Sequence, residues 1–187
     1  MRTLQDNFLK SRYHEKVPII GMDAEDIIRI LGLEPLTVEG GYFRETYRSR
    51  GKIPQHDLPP VYRGDRHFGT VIYYLVTKDT FSFLHRLPSD EIFHFYLGDP
   101  VIMLQLSPDG EGKKMLLGND IERGQNLQVV VPGGVWQGLC LDEGGTFALM
   151  GTTVVPGFDY EDFELGDREK LIILYPSYSE LIERLTR

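Results

Sequence analysis

The sequence predicts an all-β domain, either a sandwich or a barrel, with one short helix near each end. From Leu36 onward, short apolar segments alternate with turns such as residues 107–110 (Ser-Pro-Asp-Gly) and 132–134 (Pro-Gly-Gly). This stretch has no recurrent helical pattern of the kind that parallel βαβ units require. The length of 187 residues suits one domain and is sufficient for one core.

The segments that most resemble strands are short and rich in β-branched and aromatic residues. They are residues 42–48, 70–76, 80–85, 91–97, 101–106, 127–131, 135–141 and 146–155. Between the first two lies a long, polar, proline-containing stretch, residues 50–69, which is a candidate lid. The regular spacing of these segments favours a single β-domain.

Two helical patterns flank the strands. In residues 22–31, apolar side chains recur at helical spacing after an acidic first turn, and Gly32 follows the last turn. In residues 177–185, Ser177 is the predicted N-cap, Glu180 is its reciprocal capping residue, and leucine and isoleucine form one apolar side. We expect the second helix to dock on the β-domain.

Composition and charge exclude several classes of protein. Lys and Arg total 20 against 28 Asp and Glu, and a net charge of −8 without a basic cluster argues against nucleic-acid binding. The single cysteine, Cys140, cannot form an internal disulfide, which fits a reducing compartment. No apolar run reaches the length of a signal peptide or a membrane span. We therefore expect a cytoplasmic protein without membrane contact, with residues 1–18 as an arm and 19–187 as one domain.

The densest group of polar residues among apolar strands lies in residues 81–98. Strand alternation places Phe83 and His85 on one face of one strand, and Glu91 and Phe93 on one face of the next. If both faces point inward, His85 and Glu91 enter the core together. Because a buried carboxylate is costly without partners, Glu91 then implies a hydrated cavity, a cation or a hydrogen-bonding ligand.

The spacing of these residues resembles the first motif of the cupin superfamily, G-x5-H-x-H-x3,4-E-x6-G. The matching positions are His85, Leu87, Glu91 and Gly98. Residues 132–137 resemble the second motif, which is close to G-x5-P-x-G-x2-H-x3-N. Leu87 and Gln137 stand where the family has histidines, so the resemblance supports the fold better than metal chemistry.

A narrower resemblance covers most of the chain. It lies in residues 39–47, 72–75, 81–98, 131–137 and 156–159, which together are similar to the Cupin 5 subfamily, also called DUF985. The resemblance implies a cupin double-stranded β-helix, an RmlC-like jelly-roll barrel similar to the enzymes that epimerise dTDP-4-keto-6-deoxy sugars. It also implies a homodimer, and β-rich edges such as residues 42–48 need cover in any case.

His85 is the first candidate for catalysis. A carboxylate beside an imidazole raises its basicity and fixes its tautomer, so His85 with Glu91 suits a general base that removes a proton next to a carbonyl. The sequence thus predicts a small-molecule-binding cupin, an isomerase or epimerase if it is an enzyme, acting on a keto sugar or similar compound. The alternatives are a core histidine that only pairs with Glu91, a non-catalytic metabolite-binding cupin, and a metal-dependent oxygenase.

No metal cofactor is expected, because the usual iron site has two histidines and a carboxylate, whereas this chain offers at most His85, Glu91 and the weak amide ligand Gln137 for a divalent metal. Arg86 is expected in a surface ion pair. The candidate ligand-binding residues are Glu45, Tyr47, Tyr74, Phe83, Phe93, Trp136 and Gln137. For Glu45 and Tyr47 the alternative is a network at a dimer seam, and for Tyr74 and Trp136 it is the core or an interface.

Overall fold

Two antiparallel sheets face each other in the computed structural model of the protein, which describes residues 21–187. In spatial order, the first sheet contains β1 (Glu34–Pro35), β2 (Tyr42–Arg48), β5 (Thr70–Thr77), β12 (Phe147–Val155), β7 (Asp90–Gly98) and β10 (Gln128–Val131). The second sheet contains β13 (Glu164–Leu165), β6 (Ser82–Arg86), β11 (Trp136–Leu141), β8 (Val101–Leu106) and β9 (Gly112–Leu117). A small ribbon pairs β3 (Lys52–Ile53) with β4 (Arg66–His67).

The all-β jelly-roll prediction is confirmed, but the barrel is not closed. Within residues 21–187 no ladder of strand pairing joins the two sheets. The edge strands β1 and β13 have two residues each, too few to continue a ladder from one sheet to the other. The two sheets instead enclose a shared apolar core, to which Tyr74, Phe93 and Met103 contribute. The predicted arm, residues 1–18, lies outside the described residues.

Besides the two-residue strands and the 3-10 turns, the sequence prediction missed one strand and one helix. Strand β9 carries the exposed Lys113 and Lys114, as is common for an edge strand whose charges discourage pairing with other chains. Helix α2 (Arg168–Leu174) begins at Asp167, whose side chain accepts a hydrogen bond from the backbone N–H of Lys170 at 3.0 Å. Neither element has a strong apolar period, so the sequence pattern did not reveal them.

The two predicted helices have different outcomes. Helix α1 (Ala24–Leu31) is confirmed, with Asp23 as its N-cap and Gly32 in the left-handed conformation at its end. The C-terminal helix α3 covers only Ser179–Arg184, and the predicted cap at Ser177 is wrong. A 3-10 turn, Pro176–Tyr178, contains Ser177, because a proline at its first position starts the turn before the helix.

The C-terminal helices dock on the outer face of the second sheet. Leu171 of α2 and Ile182 of α3 pack with Leu84, Leu104 and Cys140 in a second buried cluster. None of the helices in the described part of the chain is long and apolar enough to cross a bilayer. The inner face of the second sheet is therefore left to the core.

Candidate functional site

A cavity of about 170 Å³ lies between the two sheets. Most of its wall comes from the first sheet, through inward-facing residues of β2, β5, β7 and β12. The apolar part of the lining consists of Leu36, Phe43, Ile72, Leu87, Val154 and Phe158. Its charged residues are Glu39, Glu45, Arg48 and Glu91, so the cavity combines an apolar wall with an excess of acidic groups.

Glu91 and His85 are brought together through Gln137. Gln137 lies opposite His85 where β11 pairs with β6, and all three side chains are buried. The Gln137 side-chain amide donates a short hydrogen bond to Oε2 of Glu91, and its Nε2 lies 3.3 Å from Nε2 of His85. The two N–H groups of one amide thus connect the imidazole to the carboxylate.

The hydrogen bonds of His85 define its tautomer. Nδ1 lies 2.7 Å from the carbonyl oxygen of Phe83, which can only accept, so Nδ1 carries the proton. Nε2 then accepts from Gln137. Burial lowers the pKa of His85, although the charge of Glu91 acts in the opposite direction. His85 is a neutral imidazole with both ring nitrogens engaged, and Phe163 stacks on its ring at 4.9 Å.

A bulge in β6 overturns the prediction that Phe83 and His85 share an inward face. His85 pairs with Gln137, but Ser82 pairs with Leu139, so β6 has one more residue than β11 over this interval. Ser82 and His85 therefore both face the interior. The Phe83 ring packs against Phe81 and lies 4.3 Å from the guanidinium of Arg187, away from the cavity.

Glu39 is a second acid in the cavity lining, where it is half-buried, and sequence analysis missed it. Its carboxylate accepts a hydrogen bond from Oγ of Ser82 at 2.9 Å, and its carbonyl oxygen accepts from the N–H of Phe83 at 2.7 Å. The next residue, Gly40, has φ of +100°, and a Cβ there would overlap the carbonyl oxygen of Phe81. The Gly40-Gly41 pair was the available signal that the chain approaches β6 closely here.

Both acids have a pKa above the ordinary range of a carboxyl group. Burial raises the pKa of Glu39 to about 7, against hydrogen bonds from Ser82 and Tyr74 that lower it. Burial also raises the pKa of Glu91 to about 7, and the nearby Glu39 charge adds to the increase. His85 and hydrogen bonds from Thr152 and Gln137 oppose that shift. Near neutral pH the two carboxyl groups together hold about one proton.

Arg48, the one Lys or Arg among the described lining residues, is already paired with an acid. Arg48 donates to both oxygens of Glu45, at 3.0 Å and 2.6 Å, and to the carbonyl oxygen of Phe158 at 3.2 Å. Glu45 thus lines the cavity as predicted, but its charge is neutralised by Arg48 at the rim. Tyr160, also in the lining, is 58% exposed and marks the open side.

The other predicted ligand-binding residues lie outside the cavity lining. Tyr47 is 56% exposed, because a register irregularity between Glu45 and Tyr47 breaks the alternation of β2. Trp136 precedes Gln137 in β11 and so has the opposite parity, with the guanidinium of Arg86 over its ring at 4.4 Å. The two fully buried aromatic candidates, Tyr74 and Phe93, belong to the core.

Tyr74 and Gln137 nevertheless hold other residues of the site in position through hydrogen bonds. The hydroxyl of Tyr74 donates to the carbonyl oxygen of Gly40 at 3.0 Å, which helps to hold the turn that carries Glu39. Gln137 holds Glu91 as described above. These two predicted residues thus position the cavity acids instead of lining the cavity.

The site does not fit a metal ion. Among the residues that the structure describes, no three His, Cys, Asp or Glu side chains converge in a ligand set. Leu87 occupies the position where the cupin motif has a second histidine, and it lines the cavity with an apolar side chain. Both nitrogens of His85 are engaged, to Phe83 and to Gln137.

Comparisons with known proteins agree on one family. The model of the Cupin superfamily (DUF985), Cupin_5, matches residues 25–166. The uncharacterized protein YML079W of Saccharomyces cerevisiae is 35% identical over 134 residues, which are 66% of this chain and 66% of the yeast protein. The chain thus spans about two thirds of the length of that curated relative.

Two solved structures share the fold over nearly their whole length. Protein SO0799 from Shewanella oneidensis has a TM-score of 0.78 and 34% identity, covering 89% of this chain and 98% of that one. A hypothetical protein from Leishmania major has a TM-score of 0.78 and 34% identity, covering 88% and 99%. None of these names states a substrate or a reaction.

Proposed function

The chain belongs to the Cupin_5 (DUF985) family of the cupin superfamily, and from its cavity we propose that it binds a small carbonyl-containing metabolite of the sugar type and acts as an isomerase. The reaction is proton transfer next to the carbonyl, with Glu91 as the general base. The sequence favoured His85 for that role. In the proposal the two residues exchange roles, and His85 positions Glu91 through Gln137.

The placement and pKa of Glu91 carry this proposal. A general base works best when its pKa lies near the operating pH, and the pKa of Glu91 is about 7. Glu91 lines the cavity, whereas both ring nitrogens of His85 are engaged and His85 is not among the lining residues. The neutral amide of Gln137 fixes the orientation of the carboxylate without adding a charge that would make it a weaker base.

The size of the cavity limits what can enter. About 170 Å³ is well below the roughly 300–1,000 Å³ of pockets that enclose drug-sized ligands. One sugar ring or a smaller unit is therefore the part that reaches Glu91. A larger substituent, such as the nucleotide of a nucleotide sugar, remains on the open side beside Tyr160 and Arg48.

Solvent deuterium exchange tests the proposal directly. The protein is incubated in D2O with dTDP-4-keto-6-deoxyglucose or D-fructose, and deuterium at the carbon next to the carbonyl is followed by NMR. We expect enzyme-dependent exchange that falls by about 100-fold or more in Glu91→Gln, because the amide cannot accept the proton. Glu143→Gln, at an exposed turn remote from the cavity, is the matched control and should retain full activity.

The same experiment distinguishes the isomerase from a non-catalytic metabolite-binding protein. Saturable binding of a keto sugar by calorimetry, without any exchange, would contradict the isomerase and favour a metabolite-binding cupin. Exchange that survives Glu91→Gln but not His85→Phe would return the role of base to His85.

A further inference from the structure

The two acids of the cavity come from different kinds of element: Glu91 from a strand, and Glu39 from the turn between β1 and β2. Glu91 stands on β7 of the first sheet. Glu39 is fastened to β6 of the second sheet through its backbone bond to Phe83 and its carboxylate bond to Ser82. Because both line one cavity of about 170 Å³, a ligand ring that fills it lies against both carboxyl groups.

No free cation is available to the ligand in this cavity. Arg48 is the only Lys or Arg in the lining that the structure describes, and Glu45 and the Phe158 carbonyl occupy its guanidinium. Removal of a proton next to a carbonyl leaves negative charge on the carbonyl oxygen, which must be stabilised or protonated. With the one lining cation already paired, a neutral carboxylic acid on the cavity wall is suited to this task, because it can donate a proton outright.

We propose that Glu39 is this acid, a catalytic proton donor to the carbonyl oxygen that works with Glu91. The inference rests on the proposed function and adds a second catalytic residue to it. Its geometric basis is the pair of carboxyl groups that line the same cavity, one from β7 and one from the turn between β1 and β2, which is hydrogen-bonded to β6.

The step balances with a single proton on the pair. The Glu91 carboxylate takes the proton from the carbon next to the carbonyl, and the electrons of that C–H bond form the C=C bond of an enol. The carbonyl oxygen takes the proton of the Glu39 carboxylic acid, so Glu91 ends protonated and Glu39 ionised. Return of a proton to the same carbon reverses the changes at both acids, and with a pKa of about 7 for each, the required state is well populated at neutral pH.

The decisive variant is Glu39→Gln. Ser82 can still donate to the amide oxygen, so the local structure is retained while the transferable proton is lost. In the exchange assay we expect a rate at least about 100-fold lower. The pH profile should also change from a bell centred near pH 7 to a curve without the alkaline limb, because that limb reports loss of the Glu39 proton.

Ser82→Ala provides a milder and independent variant. The Ser82 hydrogen bond lowers the pKa of Glu39, so its removal should move the alkaline limb to higher pH while the acid remains in place. Glu143→Gln again serves as the control. A purely structural role of Glu39 would lower the melting temperature of both variants without moving either limb.

The outcomes distinguish this inference from the function on which it rests. Exchange by the wild type with less than a threefold loss in Glu39→Gln overturns the role of Glu39 and leaves Glu91 as the base. Absence of exchange by the wild type with either probe overturns both. A large loss together with the missing alkaline limb supports both.

Discussion

Charged side chains lie in the interior at two places, around Arg66 and in the cavity, and they are paired differently at each. Arg66 is 2% exposed, and it donates to both oxygens of Asp162, at 2.7 Å and 2.6 Å. Oε1 of Glu161 lies 2.8 Å from Nη2, the same guanidinium nitrogen that donates to Oδ1 of Asp162. In the cavity, Glu91 is buried and Glu39 is half-buried, and the hydrogen bonds to their carboxylates come from the neutral side chains of Gln137 and Ser82.

This difference separates structural from reactive charge. The Arg66 cluster is compensated, and it fastens the stretch 50–69 to the turn Tyr160–Asp162 beside the cavity. It therefore stabilises one wall. The two cavity acids lack such compensation, and their pKa values are raised to near neutrality. Burying them lowers the stability of the fold, but a pKa near neutrality suits a group that transfers protons. Removing a charge should therefore change the free energy of unfolding in opposite directions at the Arg66 cluster and in the cavity, and with a different dependence on pH.

The largest expected effect on stability is at Arg66. We expect Arg66→Met to lower the free energy of unfolding by about 3–5 kcal/mol at pH 7, because Asp162, 4% exposed, would be left as an unpaired buried charge. Urea denaturation followed by circular dichroism measures this. The double variant Arg66→Met with Asp162→Leu should recover part of the loss. A single-variant loss below 1 kcal/mol would show that Asp162 is readily hydrated and that the contrast with the cavity is false.

The second prediction concerns Glu91, where removal of the charge should stabilise the protein. Because its pKa is about 7 in the folded state and near 4.5 when exposed, the folded protein binds the extra proton between these values. The contribution of Glu91 to stability therefore falls as pH rises from about 4.5 to 7. Above pH 7, Glu91→Gln should be more stable than the wild type by about 3 kcal/mol.

Urea denaturation of both proteins at pH 5 and pH 8 measures this difference. The effect of the lowered His85 pKa has the opposite sign, since burial of a neutral imidazole weakens the fold as pH drops below 6.5. It largely cancels because both proteins retain His85. An equal loss of stability in Glu91→Gln at the two pH values would mean that the carboxylate is compensated after all.

The sequence predicted more of the fold than of the site. Strand alternation correctly brought His85 and Glu91 to the interior, and cupin-like spacing pointed to the family. Alternation failed at Phe83 and at Tyr47, because a bulge in β6 and a register irregularity in β2 rotate single residues and leave no period in the sequence. Glu39 was missed because it reaches the cavity from a turn, where period-two reasoning does not apply.

Arg86 and Glu164 provide the smallest predicted effect and the control for the whole comparison. Arg86 donates to both oxygens of Glu164, at 2.8 Å and 3.0 Å, which confirms the expected surface ion pair. Its geometry resembles that of Arg66 with Asp162, but the two side chains are 39% and 55% exposed. Water and salt screen such pairs, so they contribute little.

Glu164→Gln should therefore cost no more than about 0.5 kcal/mol in low salt, and about 0.5 M NaCl should remove most of the difference. Arg86 remains over the Trp136 ring in this variant, so its packing is preserved and only the charge of its partner changes. Denaturation curves of the two proteins at both salt concentrations measure the effect. A salt-resistant loss of 2 kcal/mol or more would show that pairing geometry, and not burial, sets the strength of these ion pairs. The same result would remove the physical reason for treating the unpaired acids of the cavity as a separate class.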